Sequence, residues 1–244
     1  MKTSNKCLVA ALLLLVGSLM AFNTSLRAEY ARGTYKDLKR NTTALNFTNF
    51  TEVDVQAAST MSVKIVRGPF GVRLNNGAEK AVKISQHGAR LTVALAFPTA
   101  GESLGGQDVL TISCPQLRRL TTGGTYRVAG KPRTEKAPGN QRRVRVEGFS
   151  GDSLMVRQDL GSQVELANNR LGFLRAEAGV SPGSQSGLRI EQSNRILAVD
   201  LSVQHQATLL LEAGGIARHR YQFGDSARVT FGGAGLRNLG QPRE

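Results

Sequence analysis

The 244 residues carry 32 basic and 18 acidic side chains, a formal charge of +14, with three histidines and two cysteines. Such a surplus favours anionic partners such as acidic polysaccharide or lipid headgroups. So few thiols exclude a disulfide scaffold, and the length suffices for one domain with a sizeable buried core.

Lys2 and Lys6 precede an apolar run from Cys7 to Phe22 that includes Leu12, Leu13, Leu14 and Leu15, the pattern of an export signal. The run is short of the roughly 20 apolar residues a membrane span needs, because Asn23, Thr24 and Ser25 follow it. Cleavage after Ala28 is the favoured reading, although Leu26 fits the small-x-small pattern poorly; an uncleaved anchor is the alternative. No cysteine follows the run, so no acylated lipoprotein site is expected. Cleavage removes Lys2, Lys6 and Arg27, taking 32 basic residues to 29 against 18 acidic, and leaves Cys114 as the lone thiol. Export also makes nucleic acid the least favoured partner, and none is expected. The expected organisation is a signal peptide or anchor over 1–28, a linker over 29–45, and one domain over 46–244.

Beyond the signal no three-turn helical periodicity occurs; what recurs is apolar-polar-apolar alternation. Val53-Asp54-Val55, Val63-Lys64-Ile65, Val72-Arg73-Leu74, Val82-Lys83-Ile84, Leu91-Thr92-Val93 and Val144-Arg145-Val146 each read as a short strand with one dry and one wet face. Turn-forming clusters such as Asn75-Asn76-Gly77, Ser150-Gly151-Asp152 and Asn168-Asn169 separate them.

Four later segments align at steps of 20 to 24 residues: Ser162–Leu166 with Leu171, Ser186–Ile190 with Ile196, Ala207–Leu211 with Ile216, and Ala227–Phe231 with Leu236. Each is one short strand, a tight turn and the start of a second strand. Stacked coils of this kind put Val164, Leu188, Leu209 and Val229 in one apolar ladder, with Ser162, Ser186, Ala207 and Ala227 at a tight corner. The predicted fold is therefore all-β, a single-stranded right-handed parallel β-helix, or β-solenoid, of eight or nine rungs. A β-sandwich or jelly roll is the alternative. Open solenoid ends leave end-to-end or edge pairing with a second copy open.

The order Phe50–Val55, Met61–Gly68, Leu91-Thr92-Val93 and Val109–Leu120, followed by Gly123-Gly124, resembles the family called "putative auto-transporter adhesin, head GIN domain". The likeness covers about Asn46 to the C-terminus and departs from the family at the Lys131–Gln141 insertion. It implies a secreted or surface-bound bacterial β-solenoid of the cell envelope, with no catalytic residues and no cofactor.

Residues capable of chemistry are few and scattered. His87, His205 and His219 have no second ligand at metal spacing and read as solvated loop residues, while Cys114 reads as a buried structural thiol. No G-x-S-x-G elbow occurs, and no glycine cluster sits between strand and helix as a phosphate loop would. A lyase-like enzyme acting on polysaccharide is the rival class. It would need clustered carboxylates for Ca²⁺, and only Glu191 and Glu212 align one rung apart. They could recruit a cation or splay into water, the latter being preferred.

One segment stands out. Arg118, Arg119, Arg127, Lys131, Arg133, Lys136, Arg142, Arg143 and Arg145 face a single acid, Glu135. Two readings compete: a solvated, disordered insertion, or a docking site for anionic glycan or lipid headgroups, which guanidinium forks match.

Overall fold

The computed structural model describes residues 3–32, 41–104 and 108–239. The chain divides into two units, Met1–Thr42 and Thr43–Glu244.

In the first unit α1 (Thr3–Arg32) runs for 30 residues, or about 45 Å. It continues through the polar residues expected to end the apolar run. Thr24 Oγ1 donates to the Ala21 carbonyl and Ser18 Oγ to that of Leu15, both at 2.9 Å, so these hydroxyls are satisfied inside the helix. The stretch Asn5–Ala31 is consequently long and apolar enough to cross a membrane, a property that a signal sequence shares. None of its apolar window is buried, and Leu14 is 76% exposed.

The second unit is built of strands. Its N-terminal half contains β1 (Thr42–Leu45), β2 (Glu52–Val55), β3 (Ser62–Arg67), β4 (Gly71–Asn75), β5 (Val82–His87), β6 (Arg90–Phe97), β7 (Asp108–Cys114), β8 (Arg119–Thr122), β9 (Thr125–Val128) and β10 (Lys131–Thr134). Then come β11 (Val144–Glu147), β12 (Ser150–Gln158), β13 (Gln163–Ala167), β14 (Arg170–Ala178), β15 (Gly187–Ile190), β16 (Arg195–Val203), β17 (Thr208–Leu211), β18 (Arg218–Phe223) and β19 (Arg228–Phe231). A first sheet has the order β1-β4-β7-β3-β11-β13-β15-β17-β19, and a second has β10-β9-β6-β2-β8-β12-β14-β16-β18, with β5 against β6.

From β11 onward the chain alternates between the two sheets, and every pairing along this part is parallel. Val164, Leu188, Leu209 and Val229 pair in the expected register. The row continues through Val144, Val63 and Leu110, which the repeat did not anticipate. Side chains largely alternate, so one face of each sheet supplies a shared apolar core in which Ile65, Ile112, Leu120, Leu166 and Leu174 are wholly buried. Burial of each such side chain contributes about 1.5–3 kcal/mol. Ser162, Ser186 and Ala207 are fully buried at one corner, as expected of small stacking residues.

The fold nevertheless departs from the expectation. Its two sheets are mixed, and the arrangement does not show the single-stranded right-handed parallel β-helix; the sandwich alternative is compatible with it. The departure lies in the N-terminal half. There β4–β7, β5–β6 and β9–β10 are antiparallel, and β11 and β8 lie beside the sequence-distant β3 and β2. Leu236, expected as the last inward residue, is 55% exposed.

Candidate anion-binding site

The Lys131–Gln141 segment is no free loop. Ala129 and Gly130 have φ of 49° and 77°, the left-handed pair of a two-residue hairpin turn, and they place Lys131–Thr134 on β10, antiparallel to β9. Beyond β10 the backbone is pinned. Glu135 N–H donates to the Gly124 carbonyl at 2.8 Å, Gly161 N–H to that of Glu135 at 2.9 Å, Gln185 N–H to that of Lys136 at 2.9 Å, and Gly139 N–H to that of Ser59 at 3.2 Å. Glycine is required where these backbones meet: a Cβ on Gly161 would overlap the Ala137 carbonyl, and one on Gly124 that of Glu135. The disordered reading is therefore corrected. Proline and glycine here serve close backbone approach rather than solvation.

The nine basic residues do not converge. Residues directly opposite across β9 and β10 share a face, so Arg133 stands with Tyr126 and Lys131 with Val128, while Arg127 lies on the reverse face with Pro132. Phe97 of β6 opposes Val128, and its ring meets Tyr126 edge-on at 6.1 Å. Together with Leu104 these side chains line a groove of about 430 Å³ that Arg133 and Arg142 flank. Arg142 Nη2 donates to the Leu104 carbonyl at 2.6 Å, and Tyr126 Oη to Glu135 Oε1 at 3.1 Å. Ser59 also lines the groove, and its buried hydroxyl has no hydrogen-bond partner among the described residues. Lys136 points elsewhere and donates to the Pro182 carbonyl at 3.3 Å.

Arg143 and Arg145 belong to an ion-pair network on the outer face of the first sheet. Glu165, only 8% exposed at its side chain, lies 2.9 Å from Arg145, 3.5 Å from Arg143 and 3.7 Å from Arg189. Arg145 also meets Glu191 at 2.8 Å and Glu147 at 3.4 Å, while Arg189 meets Glu212 at 3.1 Å. Burial works against the Arg145 charge, but hydrogen bonds to Glu191 and Glu165 outweigh it and hold the guanidinium above its ordinary value. Burial likewise works against the Glu191 carboxylate, and the Arg145 hydrogen bond outweighs it and lowers that group. This settles the two aligned carboxylates. Glu191 takes Arg145 of β11, two strands away, and Glu212 takes Arg189 of the adjacent β15, so both are held in ion pairs rather than splayed into water.

Arg118 and Arg119 open instead onto the outer face of the second sheet, where Arg119 lies 3.7 Å from Glu52. His219 is also not a loop residue: it lies on β18 with its ring stacked 4.9 Å from Tyr221. Cys114 is fully buried, and desolvation pushes its thiol up to about 12. No group of three or more metal-ligating side chains occurs among the described residues.

Among solved structures the chain is similar to a "putative adhesin" from Bacteroides fragilis, with a TM-score of 0.50 and 10% identity over 78% of this chain and 95% of that one. Looser likenesses are to a "putative lipid binding protein" from Parabacteroides distasonis (TM-score 0.36, 10% identity, 79% and 94% covered) and a "putative adhesin" from Parabacteroides merdae (0.32, 9%, 80% and 97%). At this identity the first likeness is one of fold alone. No family profile matches the chain, so the head GIN domain resemblance is not confirmed, and no curated protein matches it either.

Proposed function

We propose that the chain is an exported, non-catalytic binding module of the cell envelope that takes anionic ligands, the acidic sugars of a glycan or a lipid headgroup, and that its parallel stack is a solenoid serving as a rigid platform. The carrying observation is the groove in which Arg133 and Arg142 flank an apolar floor of Phe97, Val128 and Tyr126. Aromatic rings offer a face to a sugar or acyl chain while guanidinium forks match carboxylate or phosphate. The apolar α1 supports export, and the fold shared with a "putative adhesin" supports an envelope role. The basic segment from Arg118 to Arg145 is then distributed between this groove, the second sheet and the ion-pair network of the first.

Retention on immobilised acidic polysaccharide, compared with neutral dextran, tests this reading. Screening shortens from roughly 10 Å at 0.1 M salt to about 3 Å at 1 M, so retention on the acidic gel is expected at low salt and lost at high salt. It should also fall in a Lys131→Ser/Arg133→Ser variant. Equal retention on both gels, or no response to salt, overturns it.

A further inference from the structure

The outer faces of the two sheets differ in a way their composition hides. On the first sheet Lys64, Arg143, Arg145 and Arg189 are matched by Glu147, Glu165, Glu191 and Glu212 in continuous ion pairs. On the second, one register row reads Arg90, Glu52, Arg119, Met155, Arg175, Asp200, Arg220 across β6, β2, β8, β12, β14, β16 and β18. An arginine thus stands on every second strand. With strands about 4.8 Å apart the arginine backbone positions recur at about 9.6 Å over about 29 Å. The flanking residues Val53, Leu120, Leu154, Val156, Leu174, Val199 and Leu201 are buried, so the row projects outward from a rigid surface.

The row also carries a groove. Arg118, Arg119, Met155, Phe173 and Arg175 line a depression of about 360 Å³ together with Glu52, and the adjoining one, which shares Arg119 and Met155, includes Arg90 and Arg157 beside Asp54 and Glu177. Phe173 is 39% exposed on this face, an aromatic surface beside two arginines. The side chains of Arg90, Arg119 and Arg175 are 52%, 43% and 49% exposed, and their present partners are the surface carboxylates Glu52 and Glu177. Ion pairs of that kind are worth little, so a ligand carboxylate can share or replace them.

We infer that the outer face of the second sheet binds an extended acidic polysaccharide running across the strands, with carboxylates on alternate sugars seated on Arg119 and Arg175 and the intervening uncharged sugar over Met155 and Phe173. This deepens the proposed function and rests on it. The anions in the row give it selectivity: Glu52 and Asp200 occupy in-between positions and repel a polymer charged at every unit. A single half-exposed aromatic among charged side chains favours a glycan over a membrane surface.

The test uses the full chain in neutral detergent micelles, titrated calorimetrically with four probes. These are hyaluronan, in which glucuronate alternates with an uncharged amino sugar, polygalacturonate, charged at every sugar, neutral dextran, and the soluble lipid headgroup glycerophosphoglycerol. Hyaluronan is expected to bind at least tenfold more tightly than the other three. Arg119→Ala/Arg175→Ala should lose at least tenfold, and the charge control Lys83→Ser should stay within twofold. Glu52→Gln should bring polygalacturonate closer to hyaluronan, a gain that misfolding cannot produce. If hyaluronan binds the Arg119→Ala/Arg175→Ala variant as tightly as wild type and loss is confined to Lys131→Ser/Arg133→Ser, the inference fails while the proposed function stands. Polygalacturonate or the headgroup bound as well as hyaluronan overturns it equally. No binding of either acidic glycan or of the headgroup sinks both readings, and binding of the headgroup alone sinks only this inference.

Discussion

Asn169 and Asn194 lie at equivalent turns, between β13 and β14 and between β15 and β16, and the side-chain amide of the first donates to that of the second at 3.0 Å. Asn169 is fully buried and Asn194 is 3% exposed. Their remaining polar atoms serve backbone that the turns would otherwise strand. Asn169 Nδ2 donates to the Val146 carbonyl and its Oδ1 accepts from Phe149 N–H, while Asn194 Nδ2 donates to the Leu166 carbonyl at 2.7 Å.

Removing one amide leaves several buried groups without partners, each costing about 1–3 kcal/mol. Asn169→Ala should therefore destabilise the protein by about 2–4 kcal/mol. Asn168→Gly, at an exposed position of the same turn whose φ of 55° glycine accepts, should cost less than about 1 kcal/mol by the same reckoning. Urea denaturation of the two variants compares them directly, and equal midpoints would show that the ladder carries no stability.

The row through Leu188 makes a similar demand. Leu188 is 2% exposed, so Leu188→Arg buries a charge with no partner and should unfold the chain. Its neighbour Arg189 lies on the outer face, half-exposed beside Glu212, and Arg189→Ala should cost under about 1 kcal/mol. Circular dichroism melts separate the two; similar melting temperatures would mean the register is wrong.

That register was legible because a 20-to-24-residue period survives in the sequence wherever successive strand pairs repeat the same turn. The N-terminal half keeps no such period. The pairings β3–β11 and β2–β8 join residues far apart in the chain, and nothing local encodes them. The asparagine ladder had a signal, since Asn169 and Asn194 follow equivalent strands, but asparagine there reads equally well as a turn residue. Most of the basic segment was visible only as charge. Which arginines are committed to glutamates and which stay available depends on strand neighbours. Hence Arg145 belongs to the network around Glu165, while Arg175 and Arg220, outside the segment altogether, join Arg119 in one row.

Acid should weaken the fold. Burial works against the Asp159 carboxylate, but the Ser181 hydroxyl and backbone N–H, with Leu160 N–H, outweigh it and hold this group below its ordinary 3.8. Glu147 and Glu191 are also lowered, burial being outweighed by Lys64 and Arg145 respectively. In each case the unfolded chain takes up its proton first as pH drops. Their stabilisation is present above the ordinary carboxylate range and is lost as pH falls through the lower folded values. Asp54, raised by burial, contributes with the opposite sign. Denaturation midpoints should thus fall between about pH 5 and pH 2, and Asp159→Asn should flatten that decline. A decline unchanged in Asp159→Asn would remove this carboxylate from the account.

Burial that pushes the Cys114 thiol to about 12 leaves about one molecule in ten thousand as thiolate at pH 8. Iodoacetamide should therefore spare Cys114 in the native protein and modify it only after denaturation. Cys7, exposed on α1, supplies the internal comparison. Rapid native labelling of Cys114, located by peptide mass, would contradict its burial.

The last expectation concerns the segment that carries the groove. Trypsin has Arg133 and Lys136 available as exposed cleavage sites, yet the backbone around them is held by β9 on one side and by Gly124, Gly161 and Gln185 on the other. A protease must first open these hydrogen bonds, so native cleavage should be slow. Gly161→Val puts a branched side chain where the Ala137 carbonyl now lies, and because backbone occupies that space, the docked segment must lift. The core row through Val164 and Leu188 does not depend on this contact, so the variant should stay folded by circular dichroism. Cleavage after Arg133 and Lys136 should accelerate by an order of magnitude or more, corresponding to about 1.4 kcal/mol or more of lost docking. Salt-sensitive retention on acidic polysaccharide should fall with it, because Arg133 and Arg142 would no longer flank one groove. Cleavage at the wild-type rate would show that the segment is not held by its glycine contacts.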